Sequence, residues 1–214
     1  MKKYSIYVFD LDGTLLDTLG DLAASVNYAL RTHGMPEHSI EDVRRFVGNG
    51  VRKLMERAVP EGADNPQFEA AFATFRAYYM EHAQDTTRPY EGIPETLATL
   101  KAQGCRLAVV SNKMRKATEE LCRHFFQDTI EVAIGEDEAA GIRKKPAPDT
   151  VFEALRVLGD KGDAVYVGDS DVDIQTAHNA GIPCISVLWG FRDRDFLIQH
   201  GAKTLISAPS ELLF

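Results

Sequence analysis

The chain predicts an α/β protein, a parallel sheet flanked by helices, with an all-helical block inserted after the first strand. Three observations lead there. A short apolar run at residues 4–9 ends abruptly in two aspartates, Asp10 and Asp12. Residues 15–83 then carry helical spacing and no convincing strand. From Arg88 onward strand-like and helix-like segments alternate, the rhythm of a parallel sheet.

Each element has its own reason. Residues 21–32 place Leu22, Val26, Ala29 and Leu30 at helical spacing, with Gly34 as the C-terminal cap. Ser39-Ile40-Glu41-Asp42 is a capping-box variant opening a second helix, which breaks at Gly48-Asn49-Gly50. Residues 51–59 form a short helix stopped by Pro60, and Asn65-Pro66 offers an N-cap and first-turn proline for a long helix to about residue 82. Helices are then expected at 94–103, 115–124, 149–158, 171–180 and 195–200. Strands are expected between them at 105–110, 129–134, 164–167, 184–188 and 203–206. The organisation that follows is a core of residues 1–16 and 87–214, with a helical domain of residues 17–86 inserted between two crossings.

A length of 214 residues is enough to bury a substantial core. With 44% hydrophobic and 26% charged residues, the composition is that of a soluble globular protein. A formal net charge of -8 argues against nucleic acid or an anionic membrane as partner, since both need basic patches. A small anionic substrate stays possible, because one bound cation can invert the field of a cleft. Cys105, Cys122 and Cys184 are an odd set without Cys-x-x-Cys spacing, which reads as reduced thiols in a cytoplasmic protein. No apolar run reaches membrane-spanning length, and the N-terminal lysines lead into a strand rather than a signal-peptide core.

In an open parallel sheet ligands bind beyond the carboxyl ends of the strands, so the residues there can be collected as one site. The first strand delivers Asp10 and Asp12, spaced so that side chains alternating along an extended chain point the same way. Two carboxylates that close repel unless a cation or proton lies between them, and magnesium is a hard oxygen-seeking ion suited to the place. Two solvated turn aspartates are the competing reading. The other strand ends add Ser111-Asn112-Lys113 and Gly168-Asp169-Ser170-Asp171 with Asp173, and Lys144-Lys145-Pro146-Ala147-Pro148 lies between them in the chain. Carboxylates, a hydroxyl with an amide and a lysine suit a phosphoryl group on a metal.

The order and spacing of these groups resemble the haloacid dehalogenase superfamily of phosphatases. Its four motifs are matched by Asp10-Leu11-Asp12-Gly13-Thr14, by Ser111-Asn112, by Lys145 in Lys-Pro-x-Pro, and by Gly168-Asp169-Ser170 with Asp173. The resemblance covers the whole core and implies a Rossmann-like sheet, with the helical insertion in the place of that superfamily's first cap class. Val43-Arg44, Gly48-Asn49-Gly50, Ser111-Asn112-Lys113 and Leu188-Trp189-Gly190-Phe191-Arg192 are most similar to its phosphoglycolate phosphatase group.

The resemblance implies roles. Asp10 attacks phosphorus to form an aspartyl-phosphate, and Asp12 protonates the leaving alcohol and then activates water. Mg2+ is held by the Asp10 carboxylate, the Asp12 backbone carbonyl and Asp169, and it neutralises the phosphoryl oxygens. Ser111 and the amide after it donate to a phosphoryl oxygen with Asn112 and Thr14 alongside, and Lys145 offsets negative charge. Asp173, with Ser170, orients Lys145 or a metal water. Plainer readings compete: Lys145 as a surface lysine, Ser111 as a helix cap, and Asp169 and Asp173 as acids favoured at a helix N-terminus. Arg44 either meets a substrate carboxylate or sits on a solvated helix face. Gly48-Asn49-Gly50 either joins two helices or reaches the substrate, and Trp189 and Phe191 are core or rim residues.

The expected activity is hydrolysis of a small phosphorylated metabolite, 2-phosphoglycolate first, with no nucleic-acid or membrane partner and the choice between monomer and homodimer open. Pyrophosphate, nucleotides and sugar phosphates are alternative substrates, and a phosphomutase would keep Asp12 too. A phospho-accepting signalling receiver fits poorly, because it places its acceptor on a middle strand and lacks a helical insertion. A silent binding module fits poorly as well, because every expected catalytic position is filled.

Overall fold

The computed structural model describes residues 4–137, 141–159 and 162–213. In chain order the elements are β1 (Ile6–Phe9), β2 (Leu16–Asp17), α1 (Leu19–Thr32), α2 (Ile40–Phe46), α3 (Val51–Ala58), α4 (Phe68–His82), β3 (Arg88–Pro89) and α5 (Ile93–Ala102). They continue with β4 (Arg106–Met114), α6 (Arg115–Phe126), β5 (Val132–Glu136), α7 (Asp149–Leu158), β6 (Ala164–Gly168), α8 (Asp171–Ala180), β7 (Cys184–Val187), α9 (Arg194–Gln199) and β8 (Leu205–Ile206). Two compact units result: the chain up to Leu16 together with Pro89 onward, and Asp17–Arg88.

The first unit is a parallel six-stranded sheet in the order β5-β4-β1-β6-β7-β8. Its central strand β1 is apolar and buried at every position, because both faces of the sheet are covered. On one face Tyr7, Phe9, Leu107, Val109, Val165 and Val167 pack with Leu97 and Leu100 of α5 and Leu121 of α6. On the other, Ile6, Val8, Ala108, Val110 and Tyr166 pack with Val151 and Ala154 of α7 and Ala177 of α8. From β1 the chain winds outward through β4 to β5, then crosses to β6 on the other side of β1. That reversal puts a ligand crevice at the carboxyl ends of β4, β1 and β6.

The second unit is helical. Ser39 caps α2 as expected, its hydroxyl accepting from the Asp42 N–H while the Asp42 carboxylate accepts from the Ser39 N–H. Buried Asp21 accepts from the N–H groups of Thr86 and Thr87, both at 2.9 Å, and so ties the start of α1 to the returning chain.

Several elements differ from expectation: residues 15–83, read without a convincing strand, hold the two-residue β2, and three others have a clear local cause. The strand expected at 105–110 runs on to Met114, because the polar residues 111–113 find partners inside the unit and need no turn to reach water. The strand expected at 129–134 begins only at Val132, since the N–H groups of Thr129 and Ile130 turn back to the Phe126 carbonyl and close α6. The long helix starts at Phe68 rather than Pro66: the Asn65 side chain accepts from the Gln67 N–H in a local turn, and Gln67 is the N-cap.

Candidate active site

Asp10 leaves the end of β1 with its amide still in the sheet, donating to the Val167 carbonyl. Its Oδ1 accepts from the Leu11 N–H at 2.7 Å and lies 2.8 Å from Lys145 Nζ, which fixes the carboxylate plane. After Asp12 the chain turns back on itself, the N–H of Gly13 donating to the Leu16 carbonyl. Gly13 has φ +83°, and a Cβ there would lie 2.4 Å from Asp169 Oδ2, so both backbone and space require glycine.

Lys145 is buried against three groups. Its Nζ lies 2.8 Å from Asp10 Oδ1 and 2.8 Å from Asp173 Oδ1, and it donates to the Tyr166 hydroxyl at 3.1 Å. The Tyr166 hydroxyl in turn donates to Asp173 Oδ1 at 3.0 Å. The other Asp173 oxygen, Oδ2, accepts from the Asp169 and Ser170 N–H groups and from the Ser170 hydroxyl at 3.2, 3.0 and 2.6 Å. The Ser170 hydroxyl accepts from the Asp173 N–H, so one carboxylate both closes the capping box of α8 and holds the lysine. Burial by itself would lower the Lys145 pKa, but Asp10 and Asp173 outweigh it and the ammonium is held protonated.

Asn112 is committed to the same lysine. Its Nδ2 donates to the Lys145 carbonyl at 2.9 Å and its Oδ1 accepts from the Lys145 N–H at 2.7 Å. Both ends of its amide thus engage the Lys145 backbone, and the second Nδ2 hydrogen is a further donor. Ser111 is buried, and its Oγ accepts from the Lys113 N–H at 3.2 Å, which leaves the hydroxyl proton to donate elsewhere.

Asp12 has a partner of its own. Lys113 Nζ lies 2.9 Å from Asp12 Oδ1 as a close ion pair off the hydrogen-bond direction. Asp169 is gripped by the Phe191 N–H, which donates to Oδ2 at 2.7 Å, with the Thr14 hydroxyl 3.4 Å from Oδ1. The Trp189 indole N–H donates to the Thr14 carbonyl at 3.0 Å, and a Cβ on Gly190 would come within 2.3 Å of the Asp169 Cβ. The 189–191 segment thus packs directly onto the carboxylate.

Asp10, Asp169 and Asp173 bring carboxylate oxygens within 4.8 Å of one another. Burial and then the charge of Asp173 push Asp10 well above the usual carboxylate range. The same causes, in the same order, raise Asp169 to about 7, against the Phe191 N–H. Three buried carboxylates face one ammonium, and a buried charge left without compensation is costly. The oxygens of Asp173 are occupied by protein donors, so Asp10 and Asp169 are the acceptors this cluster offers a cation. An all-oxygen donor set of this kind fits a hard divalent ion.

Arg44, Gly48, Asn49 and Gly50 belong to the helical unit. Arg44 pairs with Glu41 at 2.7 Å. The Arg57 guanidinium donates to the Phe46 carbonyl at 2.6 Å and to Asn49 Oδ1 at 2.7 Å, bracing the 46–50 loop, in which Gly48 and Gly50 have positive φ. Sequence reasoning collected Lys113 with the strand-end residues and used it and residues 188–192 for the family resemblance, but gave neither a role in the site. Tyr166 it did not select, having no signal beyond an aromatic in a strand.

Residues 7–187 match the haloacid dehalogenase-like hydrolase family. A phosphoglycolate phosphatase of Aquifex aeolicus is 34% identical, over 97% of this chain and 94% of that one. An N-acetylmuramic acid 6-phosphate phosphatase of Pseudomonas aeruginosa is 32% identical, over 96% of this chain and 92% of that one. A solved structure from Lactobacillus delbrueckii subsp. bulgaricus superposes with TM-score 0.92 at 37% identity, covering 99% of this chain and 97% of that one. The chain belongs to the haloacid dehalogenase-like hydrolases, and among them to the phosphatases.

Proposed function

We propose that this phosphatase is a Mg2+-dependent phosphomonoester hydrolase that works through an aspartyl-phosphate on Asp10, with 2-phosphoglycolate as its substrate. The observation that carries the chemistry is the separation of the two aspartates. Asp10 faces Lys145 beside Asp169, whereas Asp12, two residues on, faces Lys113. Carboxylates in different electrostatic company suit different work, one as nucleophile and one as acid and base.

In this reading the Asp10 carboxylate attacks phosphorus in line and the bond to the alcohol breaks. Asp12 gives the departing oxygen its proton, then takes a proton from the water that hydrolyses the acyl phosphate. Lys145 offsets negative charge on nucleophile and phosphoryl group, held by Asp173, Tyr166 and Asn112. Ser111 donates to a phosphoryl oxygen. Asp10, Asp169 and the Asp12 carbonyl would hold Mg2+, which when bound neutralises charge on the phosphoryl oxygens. The 17–88 unit serves as a cap, whose 46–50 loop and Arg44 contact the substrate. Three free cysteines suit a cytoplasmic setting.

The substrate choice draws on the Aquifex aeolicus relative, and the Pseudomonas aeruginosa relative, with an amino sugar phosphate in its name, supplies the competing one. An initial-rate panel with Mg2+, using D10N as blank, tests both. It compares 2-phosphoglycolate, N-acetylmuramic acid 6-phosphate, pyrophosphate, hexose phosphates and nucleoside monophosphates by kcat/KM. A preference of about a hundredfold for phosphoglycolate, roughly 2.7 kcal/mol at the transition state, is expected. A flat profile, or a preference for the amino sugar phosphate, overturns the substrate, and turnover by D10N overturns the nucleophile.

A further inference from the structure

Lys113 is not needed by the chemistry just described, yet its side chain is 1% exposed, with Nζ 2.9 Å from an oxygen of Asp12. Lysine is seldom buried to this degree, because removing an ammonium from water is costly without a partner of opposite charge. What Lys113 does is legible from the rest of the cluster. The carboxylates whose oxygens converge within 4.8 Å are Asp10, Asp169 and Asp173. Asp12 is outside that group although it follows Asp10 by two residues. The Lys145 ammonium cannot serve Asp12 as well, since it lies against Asp10, Asp173 and Tyr166.

We propose that Lys113 is a positioning residue: its ammonium holds the Asp12 carboxylate apart from the cation-binding carboxylates and keeps it facing the leaving-group oxygen. The proposal rests on the reading of Asp12 as proton donor. A mobile carboxylate next to a divalent cation would be drawn in as one more oxygen ligand, and a carboxylate bound to a metal cannot protonate an alcohol. An ammonium has donors and no acceptor, so Lys113 itself cannot replace Asp12 as the base toward water.

The test compares wild type, D12N, K113M, K113R and the D12N/K113M double variant in single-turnover rapid quench. Two substrates are used, the best alkyl phosphate from the panel above and p-nitrophenyl phosphate. Nitrophenolate departs without a proton, whereas an alkoxide needs one. K113M is expected to slow alcohol release about thirtyfold or more, a large part of the roughly 10²–10⁴-fold that general acid catalysis contributes, while slowing nitrophenolate release about threefold at most. K113R recovers most of the loss, and K113M adds nothing further in the D12N background. Calorimetry with Mg2+ alone is expected to show K113M binding the ion at least as tightly as wild type.

Equal slowing of both esters by K113M, or no slowing, overturns the proposal, as does weaker Mg2+ binding. If K113M fails to fold by circular dichroism, K113Q carries the same comparison. If D12N itself slows both esters alike, the acid reading of Asp12 is what fails. If D12N is selective and K113M is not, the role of Lys113 alone fails.

Discussion

Replacing Asn112 with alanine should damage stability and activity together, because this side chain is what holds the Lys145 backbone. The substitution removes two hydrogen bonds, from Nδ2 to the Lys145 carbonyl at 2.9 Å and from the Lys145 N–H to Oδ1 at 2.7 Å. Asn112 and Lys145 are both buried, so the carbonyl and N–H left behind gain no water in exchange. At about 1–3 kcal/mol per orphaned group, the expected loss of unfolding free energy is roughly 2–6 kcal/mol. For a chain of this length that lowers Tm by about 4–24 °C. A freed Lys145 loop would also let Nζ drift from its place 2.8 Å from Asp10, and a misplacement of about 1 Å can cost about a hundredfold in rate. Urea unfolding gives the first quantity and steady-state kcat the second. N112D is the sharper companion: it keeps the acceptor toward the Lys145 N–H but turns a second acceptor toward the Lys145 carbonyl, so it should do no better than N112A. An N112A protein within about 0.5 kcal/mol of wild type, or within about threefold in kcat, would refute this account of the loop.

Other outcomes follow from the same geometry. G190A should lose Mg2+ affinity in calorimetry by tenfold or more, about 1.4 kcal/mol, because the new methyl would fall 2.3 Å from the Asp169 Cβ; unchanged affinity would show that the 189–191 segment yields at no cost. Y166F should keep its fold and lose about 1 kcal/mol of stability with a several-fold drop in kcat, since it deletes the hydroxyl bridging Lys145 and Asp173; an unchanged kcat would mean Asp173 suffices. Burial, and then the charge of Asp12, raise the Cys122 thiol to about 12. A pKa raised on folding stabilises fully below the unfolded value of about 8.5 and is lost as pH climbs toward the folded one. Between pH 8 and pH 10 the wild type should therefore lose about 1–2 kcal/mol more than C122A in urea unfolding, and equal slopes would contradict the shift.

The strand-end carboxylates were legible in the sequence because strand ends are legible. Apolar runs stop where the chain leaves the sheet, so Asp10 and Asp169 mark the rim of a parallel sheet before any coordinates are known. The capping box of α2 was equally local, both partners lying three residues apart. Asp173 was harder, since the two readings of it, helix-terminal acid and lysine partner, are both true of one side chain, one oxygen each.

What the sequence by itself determined is the class of fold, the helical insertion and the inventory of reactive groups, because hydrophobic period, turn chemistry and motif spacing are properties of short stretches. What only the tertiary structure decided is which group faces which. Asn112 meets Lys145 from 33 residues away and Asp173 meets it from 28, while Trp189 reaches Thr14 across 175. No periodicity encodes such pairs. They follow from strand order, which sets β4, β1 and β6 side by side, and from burial, which makes an unpaired charge or amide too costly to leave beside them.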